Sequence, residues 1–298
     1  MLRGDRSWVR LRRDAGVAAP PAGPREDKLL KRVRALAHVD DPARAAAYRR
    51  WLSADAPAYG EAVAEMQRYG RMLFFSLFPD GGEFASYDDG LAAVRREAAV
   101  CEDLCAVLEL GVQNASHVTR PLLGGVGGVG AAGAAGALGD RPLAVHARYT
   151  REEAVAALDY VGLDGRKPNS FREGVLFSAA ANSDAFFVTL NKPEADYSPT
   201  TMYRDYAISP TLFHWESQSG TTTRSKTGQR YLDHERQGSH VLLFVREAKA
   251  TEFGGGAPYL FLGPVSYVEH RGERPIAITW RLHTPMPAEQ FAVASVVA

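Results

Sequence analysis

The residues best equipped for recognition chemistry lie between Tyr203 and Tyr231 of this 298-residue chain. Tyr203, Tyr206, Phe213 and Trp215 put four aromatic faces into sixteen residues that also hold Arg204, Asp205, His214 and Gln218. Stacking faces beside directional donors and acceptors are what holding an unstacked or flipped base requires. The same composition suits two ordinary strands, in which alternate residues such as Tyr206, Phe213 and Trp215 fill a core and the polar ones meet water. The next stretch reads SGTTTRSKTGQRY. Its Arg224, Ser225, Lys226, Thr227 and Arg230 are suited to phosphate oxygens, and Tyr231 adds a further stacking face. A solvated Ser/Thr turn is the plainer reading.

A second chemistry is spelled by Glu247, Lys249 and, fourteen residues before Glu247, Asp233. Two carboxylates holding Mg²⁺ with a lysine orienting the attacking water would make a nuclease. Glu-x-Lys is also a common surface triplet, and Arg246 beside it would compete for the carboxylates, so a salt-bridged strand end is the alternative. His117, His146, His214, His234, His240 and His270 do not recur at ligand spacing, and no serine or cysteine sits in a nucleophile elbow. No glycine run leads into Gly-Lys-Ser/Thr, so no ATP binding or hydrolysis is expected. Cys101 and Cys105 are four apart in a helical pattern, on consecutive turns where a disulfide would constrain little. Two cysteines without nearby ligands fit small core residues in a reducing compartment, and neither a metal nor a cofactor is expected.

The elements that must position these residues change character along the chain. Prolines at 20, 21 and 24 forbid helix and favour an extended connector. Apolar residues then recur at helical spacing over 27–38, again from Pro42 with Asp41 as N-cap, over 61–78, and from Ser86 through Leu110 with a break. Leu122 to Gly139 contains only Leu, Gly, Val and Ala and reads as a linker. Thr150-Arg-Glu-Glu153 is a capping box opening one more helix. Beyond it, short strands are expected over 174–179, 185–190, 203–208, 212–218, 240–247, 259–269 and 275–282, the last two forming a hairpin around His-Arg-Gly-Glu. The expected organisation is an α+β chain: a helical domain over 1–121, a linker over 122–143, and a mainly antiparallel, β-barrel-like domain with one or two helices over 144–298.

Charge is zero overall but unevenly spread. Residues 1–52 hold 13 Lys+Arg against 6 Asp+Glu, 53–143 hold 6 against 12, and 144–298 hold 16 against 17. The basic N-terminal segment could meet phosphates or simply be a solvated surface. No apolar run approaches the length of a membrane span, and the N-terminus lacks a secretory signal, so a cytoplasmic protein is expected.

Several stretches in order carry a resemblance: HARYTREEAVAAL, FFVTLNK, SPTTMYRDYAISPTLFHWESQS, TGQRY, GSHVLLFVREAK, PYLFLGPVSYVEHRGERPI and ITWRLHTPMP. From about His146 onward the chain is similar to the uncharacterised C-terminal, post-motor domain of bacterial superfamily-two DEAD/DEAH-type helicases, many of which begin with a phospholipase-D-like nuclease. HVDDPARAAAYRRWL and MLFFSLF resemble, less distinctively, the region that follows the motor in that group. The two motor lobes have no counterpart here. The resemblance implies a nucleic-acid-binding accessory module, with DNA as the expected partner, reading modified or damaged DNA in restriction, defence or repair. Arg148, in the first matching stretch, joins the candidate contacts. The alternatives are the nuclease above and a protein–protein adaptor for a helicase or nuclease subunit.

Overall fold

The computed structural model describes residues 7–122, 138, 141–170, 174–191, 205–251 and 256–295. The chain runs through α1 (Trp8–Asp14), α2 (Glu26–Val33), α3 (Pro42–Leu52), α4 (Ala64–Leu77), α5 (Tyr87–Arg95) and α6 (Ala98–Gln113). Three two-residue strands follow, β1 (Arg120–Pro121), β2 (Ala144–Val145) and β3 (Arg148–Tyr149), of which β1 and β2 pair antiparallel. Then come α7 (Arg151–Ala157), β4 (Val175–Ser178), β5 (Ser183–Thr189), β6 (Tyr206–Ser209), β7 (Leu212–Glu216) and α8 (Lys226–Leu232). The last elements are β8 (His240–Arg246), β9 (Tyr259–Arg271), β10 (Ala277–Leu282) and α9 (Ala288–Ser295). Nearly all of the Gly/Ala-rich stretch lies outside the described residues.

Two compact units result. The first comprises Met1–Thr119, Gly139–Leu143 and Ala147–Arg172. Its helices start where the side chains say they should: Asp41 accepts the Arg44 N–H at 2.8 Å, Ser86 caps α5, and Thr150 with Glu153 completes the capping box of α7. The apolar face of α4 supplies Met72, Leu73, Phe74 and Phe75, and Phe74 meets Phe78, Phe84 and Tyr87 edge-on or tilted. Helix α1 is an addition to the expected elements; its signal is Ser7, whose hydroxyl accepts the Arg10 N–H. Part of the basic N-terminal segment is paired with acids, with Arg10 on Glu26 and Asp27, Arg12 on Glu102 and Arg13 on Glu26.

The second unit comprises Arg120–Leu138, Ala144–His146 and Glu173–Ala298. Its strands form one sheet in the order β4-β5-β8-β9-β10-β7-β6, antiparallel throughout except for the parallel pair β5–β8. The expected barrel is therefore corrected to an open mixed sheet. Strands β4 and β6 are its edges and do not pair with each other, and a parallel neighbour needs a long crossover, which here carries β6, β7 and α8. One face buries Phe186, Leu243, Phe213, Trp215, Ile278 and Trp280 together with Tyr231 of α8 and Ala294 of α9. On the other face Phe187, Phe244 and Phe261 stack in a ladder across β5, β8 and β9, at 5.0 and 4.5 Å. Farther along the same face, Thr279, His214 and Tyr206 stand side by side on β10, β7 and β6.

Candidate functional site

Strand alternation divides the aromatic cluster between the two faces of the sheet. Phe213 and Trp215 point to the core, where Trp215 stacks on Phe186 at 4.2 Å and is 5% exposed, while Tyr231 is 1% exposed. Burial pushes the Tyr231 phenol up, Asp184 adds to that, and Arg230 and a hydrogen bond with Gln218 oppose it. Neither Trp215 nor Tyr231 offers a face to a base. Tyr206 and His214, opposite each other on β6 and β7, lie on the other side with rings stacked at 4.8 Å, and His214 Nε2 is 3.9 Å from Glu216 Oε1. Tyr203 and Arg204 lie outside the described residues.

Arg230 is taken as well. Its Nη2 and Nε donate to Asp184 Oδ1 and Oδ2 at 2.7 and 2.5 Å, and its guanidinium lies over the Phe177 ring at 4.2 Å. Burial pushes the Asp184 carboxyl up, against the pull of Arg230. Removing a phosphate-seeking arginine from the surface in this way satisfies a carboxylate that the strand pattern places inside. Arg148 sits in the first unit, donating to Asp40 Oδ2 at 3.3 Å and Ser116 Oγ at 3.1 Å.

What remains at the surface is organised by the loop. Ser225 caps α8, its hydroxyl oxygen accepting the Gly228 N–H at 3.1 Å while its O–H donates to the Thr222 carbonyl at 2.7 Å. Gln218 accepts from the Thr221 hydroxyl at 3.4 Å, and Gln229 donates to the Thr223 carbonyl at 2.6 Å. Thr227 is half-buried in the first turn of α8. The Thr223 N–H and hydroxyl both donate to Glu273, at 3.1 and 2.7 Å, stapling the loop to the β9–β10 turn. This brings exposed Arg224 and Lys226 beside the turn that carries exposed Arg271 and Arg274. Arg224, Lys226 and Arg274 have no ion-pair partner among the described residues, and Arg271 has Glu269 at 3.8 Å. In the sequence His-Arg-Gly-Glu reads only as a turn, and Arg271 within it and Arg274 after it carry no signal, because it is the tertiary staple that puts them next to the loop.

Asp233, Glu247 and Lys249 are not assembled. Asp233 precedes β8 and pairs with Arg236, while Glu247 follows β8, so the length of a seven-residue strand, about 23 Å, intervenes. Among the described residues no group of three or more His, Cys, Asp or Glu side chains is placed to hold a metal ion, and no helix is long and apolar enough to cross a membrane. Cys101 and Cys105 are free thiols, half-buried on α6. Burial pushes Cys101 up to about 12 and raises Cys105 as well, which leaves both poor nucleophiles.

Residues 143–293 match the model of a family described as Domain of unknown function (DUF3427). No curated protein matches the chain.

Proposed function

The chain belongs to the DUF3427 family, and on that footing we propose that it is a nucleic-acid-binding accessory module whose phosphate contacts come from Arg224, Lys226, Arg271 and Arg274. The observation that carries the reading is the staple from Thr223 to Glu273, which gathers exposed cations from two segments about fifty residues apart in sequence. Ion pairs between exposed groups contribute little to stability, so holding several cations together at a rigid surface has small structural value. It has large value toward a polyanion, because each phosphate neutralised releases condensed counterions. The loop's Thr221, Thr223 and Ser225 hydroxyls are spent on Gln218, Glu273 and the Thr222 carbonyl, so the phosphate contacts fall to the cations themselves. The resemblance to post-motor regions of helicases supports the same reading and suggests DNA, with helicase or nuclease machinery as companion. Selection of modified or damaged DNA belongs to the same proposal.

The test is fluorescence anisotropy of labelled oligonucleotides against the wild-type chain and an Arg224→Ala/Lys226→Ala/Arg274→Ala variant, repeated across a salt series. The variant should lose affinity about equally for all sequences and flatten the logarithmic salt slope by up to roughly 0.9 for each duplex phosphate no longer neutralised. Unchanged affinity and slope in a folded variant would reduce this rim to a solvated turn. Binding of a protein partner that persists undiminished through the salt series, with no oligonucleotide bound, would favour the adaptor.

A further inference from the structure

We infer that the nucleic acid taken is an unpaired strand, with one base stacked on Tyr206; this rests on the nucleic-acid reading above and specifies it. Tyr206 lies on β6, the edge strand, with one ring face against His214 at 4.8 Å. Rings stacked across neighbouring strands are piled along the sheet, so the other face of Tyr206 looks outward past β6, where no strand pairs among the described residues. A base laid on that face would continue the row of Thr279, His214 and Tyr206. Aromatic platforms of this kind bind any base whose own face is available. In a duplex both faces of each base are covered by its neighbours, so stacking on Tyr206 requires a base out of the stack, which an unpaired strand supplies without the cost of flipping.

The cationic rim points the same way. Reaching into a duplex groove needs a projecting helix or a two-stranded ribbon. Helix α8 commits Tyr231 and Gly228 to the interior, α9 packs against β6, and the tip of the β9–β10 ribbon is tied down to the Thr222–Ser225 loop through Glu273. Arg224, Lys226, Arg271 and Arg274 are therefore gathered on a tethered loop and turn rather than on a helix aimed at a groove. The loop begins just past Glu216, about 10 Å along β7 from His214. A strand whose base rests on Tyr206 can run a few nucleotides to the cations.

Anisotropy with a labelled single strand of about twelve nucleotides and with the matching duplex decides the matter, using wild-type protein, Tyr206→Leu and Tyr206→Phe. Leucine keeps the bulk of a half-buried position without the π face, and phenylalanine keeps the face; circular dichroism melts establish that both fold. The single strand should bind at least about tenfold more tightly than the duplex, Tyr206→Leu should weaken single-strand binding about 5- to 100-fold, and Tyr206→Phe should restore it. Duplex binding as tight as single-strand binding, or single-strand affinity untouched in folded Tyr206→Leu, overturns this inference and leaves the nucleic-acid reading standing. Failure of both oligonucleotides to bind wild-type protein overturns the two together.

Discussion

A guanidinium serves a phosphate only where no carboxylate has claimed it, and Arg230 is claimed by Asp184 through two hydrogen bonds. From the sequence the three basic residues of the loop look equivalent; in the structure Arg224 and Lys226 are exposed and half-buried Arg230 is paired with buried Asp184. The partner lies 46 residues away, beyond the reach of any local spacing rule. Arg230→Ala should therefore act on stability, costing about 1 to 3 kcal/mol because buried Asp184 loses its hydrogen-bonding partner, whereas Arg224→Ala should stay within about 0.5 kcal/mol. Urea unfolding of the two full-length variants measures the difference. Equal stabilities would mean that the Arg230–Asp184 pair is replaceable by water.

Elements defined by local signals are the legible part of this chain. The caps at Asp41, Ser86 and Thr150 and the apolar spacing of α3 to α7 are written in consecutive residues, and the strand positions follow from β-branched and aromatic runs. The parallel pairing of β5 with β8 is not legible, since strand composition does not encode which strands become neighbours. Nor is the split of the aromatic cluster, because alternation puts Trp215 and His214 on opposite faces without saying which face is covered. Helix α8 hides inside a stretch with the composition of a loop, and its seven residues depend on tight local packing: a Cβ on Gly228 would overlap the Thr222 carbonyl oxygen. Gly228→Ala should consequently push the Thr222–Ser225 turn away from α8, weaken the Thr223–Glu273 staple and lower both melting temperature and oligonucleotide affinity. Ser225→Ala removes the cap and the hydrogen bond from its hydroxyl to the Thr222 carbonyl and should cost about 1 to 2 kcal/mol, so a Gly228→Ala effect no larger than that would show the turn to be compliant.

At the scale of the whole chain, the two stretches HVDDPARAAAY and HARYTREEAVA, about a hundred residues apart, meet in the first unit around one buried carboxylate. Glu153 takes contacts from His38 Nε2 at 2.5 Å, Arg44 Nη1 at 3.2 Å and the Tyr48 hydroxyl at 2.7 Å, in addition to its capping bond from the Thr150 N–H at 2.9 Å. Arg44, fully buried over the Tyr149 ring, also donates to the Arg148 carbonyl, and Asp41 caps the helix that carries it. Burial alone would push the Glu153 carboxyl up, yet Arg44 and His38 beside it and the hydrogen bonds it accepts hold it down at about 2, from an ordinary 4.5. A carboxyl lowered on folding contributes stability that is complete above its unfolded value and disappears as pH falls through its folded value. Acid unfolding of this unit should thus draw on Glu153 between about pH 4.5 and 2. Asp41, raised by burial against the pull of Arg44, works with the opposite sign, contributing at low pH and losing that contribution as pH rises. Glu153→Gln should destabilise the chain at neutral pH and flatten the acid limb of its stability profile, while Asp41→Asn should leave that limb in place. Chemical denaturation from about pH 2 to neutrality reads both, and an acid limb of undiminished slope in Glu153→Gln would move the pH dependence to other carboxylates.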